Sequence, residues 1–205
     1  MTLPLMPGPM NEEPVRPVTV RRSYPRTLTL DEGSQVRLRL MTPLDVHRVL
    51  AFARSLPEQD LQFLRVDITR MLVVMLWAQN IKAGQTVTVL AEKDHEVVGY
   101  ASLHHEQLSW QRHLGELRVQ VAPAYRGRRL GQALAREIFA IAPDMGLLKI
   151  VGHMAPEQQQ AIALMKRAGF TQEAVLRDFV IDRSGRTSDL VVMTCDVAAL
   201  APAAP

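Results

Sequence analysis

The chain has 205 residues, with 24 lysine and arginine against 21 aspartate and glutamate side chains, a formal charge of +3. A mean hydropathy of -0.01 with 47% apolar residues is that of a globular domain able to bury a core. No run reaches the ~20 apolar residues a membrane span needs, and the small basic excess lacks the dense stripe of a nucleic-acid binder.

The first segment, 1–22, is rich in proline (Pro4, Pro7, Pro9, Pro14, Pro17) and reads as a flexible extension, because proline removes backbone donors. It has neither the basic leader nor the apolar core of a secretory signal, so a cytoplasmic protein is expected. Gln35 to Leu40 alternates polar and apolar, which predicts a half-buried strand. Thr42-Pro43 has the pattern of an N-cap followed by proline in the first turn, opening a helix to about Arg54. A second helix is predicted over about Ile68–Asn80. Thr86–Glu92 and Val97–His104 flank the polar turn Lys93-Asp94-His95-Glu96 and read as a hairpin. Leu114–Val121 is a strand. From about Arg128 to Ile141 the residues Leu130, Leu134, Ile138 and Ile141 share one helical face. A strand at Leu148–His153, a helix at Pro156–Ala168 stopped by Gly169, and strands at Phe170–Ile181 and Leu190–Val197 complete the order. The tail 199–205 is expected to fray. The result is a mixed α/β layer in one domain, 23–198. The single cysteine, Cys195, excludes a disulfide framework, and its apolar run with no basic neighbour marks a structural thiol.

The segment that carries chemistry joins the strand ending at Val121 to the helix opening near Arg128, through Tyr125-Arg126-Gly127-Arg128-Arg129-Leu130-Gly131-Gln132-Ala133. A helix N-terminus presents unpaired N–H groups and a partial positive charge, glycine lets the backbone approach a ligand, and three arginines add charge-assisted bonds. Such a turn suits a diphosphate. It lacks the Gly-Lys-Ser/Thr of a P-loop and the three-glycine spacing of a dinucleotide fingerprint.

This stretch resembles the acetyl-CoA signature of the GNAT acetyltransferases, Gln/Arg-x-x-Gly-x-Gly/Ala followed by leucine. Ala161 to Phe170 is similar to the late helix of that family and its Gly-Phe ending. The resemblance covers roughly Gln35 to Asp196. It implies a GNAT-like fold, a single mixed, mostly antiparallel sheet flanked by helices, with acetyl-CoA as co-substrate and no metal. It also implies that the amides of Arg126, Gly127, Arg128, Arg129, Leu130, Gly131, Gln132 and Ala133 hold the pyrophosphate. The pantetheine arm would then pair with the strand of Leu117, Val119 and Val121, of which Val119 and Val121 are the expected partners. Two departures stand out: Arg129 replaces the signature's first glycine, and Met165 stands where the late helix often carries a tyrosine acid, with Gln158 at the place of an asparagine.

Acylating an amine needs its neutral form, hence a base. The resemblance places a catalytic glutamate near Glu116; the alternative is a surface glutamate paired with Arg118 on the same strand face. His104, His105 and His113 are second-choice bases, otherwise strand-end or loop histidines, and His153 ends the strand beside the expected cleft. Trp77, Trp110 and Tyr125 line a pocket or simply pack. Asp178 and Asp182 fall in the final hairpin. A looser likeness of the early segment, Tyr24-Pro25-Arg26 through Leu56 to Arg65, to the opening of bacterial GNAT domains related to protein-lysine acetyltransferases adds a protein lysine to small amines as the expected acceptor. The expected partners are therefore this amine and possible homodimer formation, without nucleic acid or membrane. The alternatives are a non-catalytic acyl-CoA sensor, suggested by Met165, and a nucleic-acid binder acting through the basic loop.

Overall fold

A computed structural model describes residues 18–62, 64–182 and 184–200. Its eight strands are β1 (Arg26–Thr29), β2 (Gln35–Leu40), β3 (Thr86–Lys93), β4 (Glu96–His104), β5 (Leu114–Val121), β6 (Lys149–Met154), β7 (Thr171–Ile181) and β8 (Thr187–Asp196). They form one sheet in the order β1-β2-β3-β4-β5-β6-β8-β7. Every ladder among the described residues is antiparallel except β5 with β6. The helices are α1 (Val46–Ser55), α2 (Glu58–Leu61), α3 (Met71–Lys82), α4 (Leu130–Ile141) and α5 (Gln159–Arg167).

Period-two alternation in the central strands divides the core between the two faces. Val89, Ala101 and Leu117 join one buried cluster with Leu134, Ile138 and Ile150 under α4. Leu90 and Tyr100, one residue out of step, join the other with Val49, Phe52, Val74 and Trp77 under α1 and α3. The predicted stripe on α4 is the most deeply buried helical face: Leu130, Leu134, Ile138 and Ile141 are each at most 1% exposed. At about 1.5–3 kcal/mol per large apolar side chain, that stripe fixes α4 on the sheet.

At the Thr42-Pro43 start, one short 3-10 turn, Pro43–Asp45, precedes α1. The buried Asp45 carboxylate accepts from the Thr42 N–H at 2.8 Å and from Arg39 at 2.5 Å, and Arg39 also reaches Glu92 at 2.5 Å. Two elements escape the sequence pattern, the edge strand β1 and the single turn α2. The segment before β1 lies against the core through Val18, Val20 and Tyr24. Arg22 there forks onto the Glu137 carboxylate at 2.8 and 3.0 Å. The prolines Pro4 to Pro17 and the tail beyond Leu200 lie outside the described residues.

Candidate active site

Strand β5 pairs with β4 along most of its length, from His104↔Glu116 to Gly99↔Val121. Its parallel ladder with β6 is shorter, running from Leu114↔Lys149 only to Leu117↔Gly152. Beyond Leu117 the two strands part. Successive backbone groups in a strand point to opposite edges. Ala122 donates its N–H to Val98 on the β4 side at 2.9 Å, so Val121 and Val119 aim theirs at the opening toward β6. Both residues expected to meet an extended ligand therefore face the gap.

The basic loop sits at the end of the same strand. Gly127 adopts φ +73, where a side chain would be strained, and Arg129 adopts φ +61 as the N-cap of α4. This left-handed position is the signature's first glycine, so the arginine holds a conformation that glycine takes freely. Its side chain turns outward to Asp31 at 3.1 Å and is 75% exposed. The helix proper opens at Leu130, two residues later than predicted, because the left-handed residue delays it. Ala133 is the first to donate back, to Arg129 at 3.0 Å; the amides of Leu130, Gly131 and Gln132 precede it in the first turn. A Cβ on Gly131 would meet only Val121 Cγ2, at 3.6 Å, so the fold itself does not demand glycine there.

The loop's other arginines also have protein partners. Arg126 donates to the Val121 carbonyl at 3.0 Å and to Asp60 at 2.5 Å, while Arg128 reaches Glu32 at 2.5 Å and lies over the Tyr125 ring. Beside them a cavity of about 520 Å³ gathers Arg128, Arg129, Arg136 and Arg167. Sequence reading missed Arg136, although it stands seven residues after Arg129, two turns along one α4 face.

Across the sheet a second cavity, about 490 Å³, opens between α3 and the strands. Its apolar wall includes Ile68, Val73, Leu76 and Trp77; its polar wall includes Arg65, His104, Glu116, Arg118 and His153. Glu116 is gripped from two sides: Arg118 on its own strand donates to Oε1 at 2.9 Å, and Arg65 from the α2–α3 connection to Oε2 at 2.6 Å. The Arg118 pair was legible in the i, i+2 spacing. The Arg65 pair, 51 residues away, was not.

The histidines divide sharply. His104 is bonded at both ring nitrogens, to the hydroxyls of Thr86 at 3.0 Å and Ser102 at 2.8 Å. Burial, with Arg118 and Arg65 adding, pushes it down to about 3, so it stays neutral. His105 bonds the Gly84 carbonyl at 3.0 Å, and His113 supports the β6 entry through its own carbonyl. His153 is half-buried on the cavity wall, and its basicity is lowered by burial, opposed by Glu116 and reinforced by Arg65 and Arg118. Trp77 packs on Tyr100 with ring centroids 4.9 Å apart, whereas Trp110 is 87% exposed. Asp178 and Asp182 bond within the β7–β8 hairpin. Gln158 accepts from the Ala155 N–H at 2.9 Å. Met165 is 5% exposed in the α4-side core. Among the described residues no three His, Cys, Asp or Glu side chains are grouped to hold a metal.

The family profile of the GNAT acetyltransferases matches residues 52–170, more than half of the chain. The chain belongs to the GNAT acetyltransferase family. Solved structures agree on the fold. A putative acetyltransferase from Salmonella typhimurium, determined with its cofactor acetyl-CoA, superposes with a TM-score of 0.70 at 21% identity, covering 80% of this chain and 95% of that one. A ribosomal-protein-alanine N-acetyltransferase from Brucella melitensis gives 0.69 at 26% identity, over 78% and 98%. Spermidine N-acetyltransferase from Vibrio cholerae, in complex with CoA and spermine, gives 0.66 at 17% identity, over 80% and 96%. As a GNAT protein this chain is an acetyltransferase enzyme, and the eight-stranded sheet flanked by helices is its family's fold.

Proposed function

We propose that this GNAT protein transfers the acetyl group of acetyl-CoA to a primary amine by direct attack, the acceptor being a small molecule or a protein lysine. The observation that carries the reading is the parting of β5 from β6 after Leu117↔Gly152, beside the first-turn amides of α4. The residues present suit the co-substrate. The N–H groups of Arg126 and Ala133 are spent on the carbonyls of Pro123 and Arg129, at 3.2 and 3.0 Å, so the amides of Gly127 to Gln132 are the ones that hold the diphosphate in this reading, with Gly127 and Gly131 keeping the backbone accessible. The arginine-lined cavity supplies charge for the nucleotide end. Val119 and Val121 offer backbone groups to the pantetheine arm as a neighbouring strand would. In this reading an N–H of the same strand stabilises the oxyanion formed at the thioester.

The acceptor enters from the opposite face, through the cavity of Glu116, Arg118 and His153. Glu116 offsets part of the positive charge that Arg65 and Arg118 bring to this wall, so that an ammonium is repelled less. The neighbours named for spermidine and for a ribosomal protein's alanine support an amine acceptor, on a small molecule or on a protein. The test is a screen for thiol release from acetyl-CoA over amines, antibiotics and lysine peptides, with Glu116→Gln as control. Thiol release with at least one acceptor is expected. CoA binding without release would make the chain a sensor and overturn the reading.

A further inference from the structure

Which group removes the proton from the acceptor? Both Glu116 oxygens are already engaged, Oε1 by Arg118 and Oε2 by Arg65, and the side chain is only 15% exposed. Those guanidinium groups leave fewer lone pairs free for a substrate N–H. His104 has no lone pair to offer either, because both ring nitrogens face hydroxyls.

His153 differs from both. It lies one residue past Gly152, the last residue of β6 to pair with β5, so continued pairing would have set it opposite Arg118. Instead it stands on the far lip of the opening, held on its other side by pairing with Val192 of β8. Alternation along β6 puts it with Val151 on the cavity face, while Gly152 and Met154 turn to the core. Among the described residues its ring has no hydrogen-bond partner. The charged groups around it are Glu116 and Arg118 from β5 and Arg65 from the α2–α3 connection. Burial, opposed by Glu116 and reinforced by Arg65 and Arg118, lowers the basicity of the imidazole and so favours the neutral form that can accept a proton.

We propose that His153 is the general base of this enzyme, taking the first proton from the acceptor ammonium, while Glu116 offsets part of the positive charge that Arg65 and Arg118 turn toward that ammonium. The inference rests on the acetyltransferase reading. In the balanced step, His153 accepts one proton from R–NH3+, and the freed amine forms a C–N bond at the acetyl carbon. The C–S bond then breaks, the sulfur leaves with the second proton from nitrogen, and the imidazolium returns its proton to water. The products are the amide, the free thiol and one proton.

The experiment compares the full chain with His153→Gln and His153→Asn, using the acceptor that performs best in the thiol-release screen. Calorimetric CoA titration and thermal melting check that each variant folds and binds. The expected result is a kcat loss of about 100-fold or more with CoA affinity unchanged. The variants also lose the histidine limb on the acid side of the kcat/KM profile, whereas Glu116→Gln keeps that limb. An unaltered profile and kcat in both His153 variants would overturn the assignment alone. Absence of thiol release by the unmodified chain, despite CoA binding, would remove it together with the acetyltransferase reading.

Discussion

A Cβ placed on Gly152 would come within 2.6 Å of Met165 Cε, so the thioether lies directly against the backbone where β5 and β6 begin to part. Met165 therefore acts as a packing residue under the cleft, not as a proton donor within it. Met165→Leu conserves volume and is expected to cost less than about 1.5 kcal/mol, with turnover retained. Met165→Ala leaves a cavity and is expected to cost about 2–5 kcal/mol. Chemical denaturation of both variants beside the thiol assay checks this; a collapse of kcat in a stable Met165→Leu would contradict it.

The two special backbone positions at the head of α4 should respond in opposite ways. Arg129→Gly relaxes a left-handed residue, so stability is expected to hold or to rise by up to ~1 kcal/mol, while Arg129→Val should lower it by more than ~1 kcal/mol. Gly131→Ala meets Val121 Cγ2 at ordinary contact distance and should fold normally. Gly131→Trp should fold as well but weaken CoA binding at least tenfold by covering the first-turn amides. Thermal melts and calorimetric titration separate these effects.

Glu116→Gln keeps the shape of the side chain while removing the charge shared by Arg65 and Arg118. Turnover is expected to fall much further than CoA affinity, since the nucleotide end sits on the other side of the sheet. Equal turnover would take Glu116 out of the acceptor site. Arg65→Ala removes a half-exposed partner and should change stability by less than ~1 kcal/mol.

Acid should loosen the end of the sheet near β2. Arg39 and two bonds from Thr42 hold the Asp45 carboxyl at about 2 against the opposition of burial, and Arg39 and Arg48 lower Glu92 in the same way. Both groups are more acidic when folded, so their contribution is complete above the unfolded carboxylate range and is lost as pH falls through the folded values. For Asp45 this amounts to on the order of 2 kcal/mol. The melting temperature is expected to drop between about pH 4.5 and 2, and Asp45→Asn should flatten that drop while lowering stability at neutral pH.

The fold was legible wherever local pattern and burial agree. Gln35–Leu40 and Leu114–Val121 alternate cleanly and occupy the predicted bounds. The α4 stripe is read from four apolar residues at helical spacing. β1 was missed because four residues, Arg-Thr-Leu-Thr, on a largely exposed edge carry too little periodicity. α2 is one turn, below the length at which a helical pattern can be told from a loop. In the candidate site, backbone features were the readable part, since a loop between a strand and a helix is contiguous in sequence. The cavity was not. Arg65 comes from a helical connection and Tyr100 and His153 from two strands that are not neighbours, and only the tertiary fold gathers them around one cavity.

The loop arginines are not idle in the free chain. Asp31 and Glu32, in the turn joining β1 to β2, hold Arg129 and Arg128, and Asp60 of α2 holds Arg126. An outer hairpin and a helical connection are thereby tethered to the rim where an anion would dock. An incoming diphosphate would compete with these carboxylates for the same guanidinium groups, so its arrival would be felt as slack in two peripheral pieces of the chain.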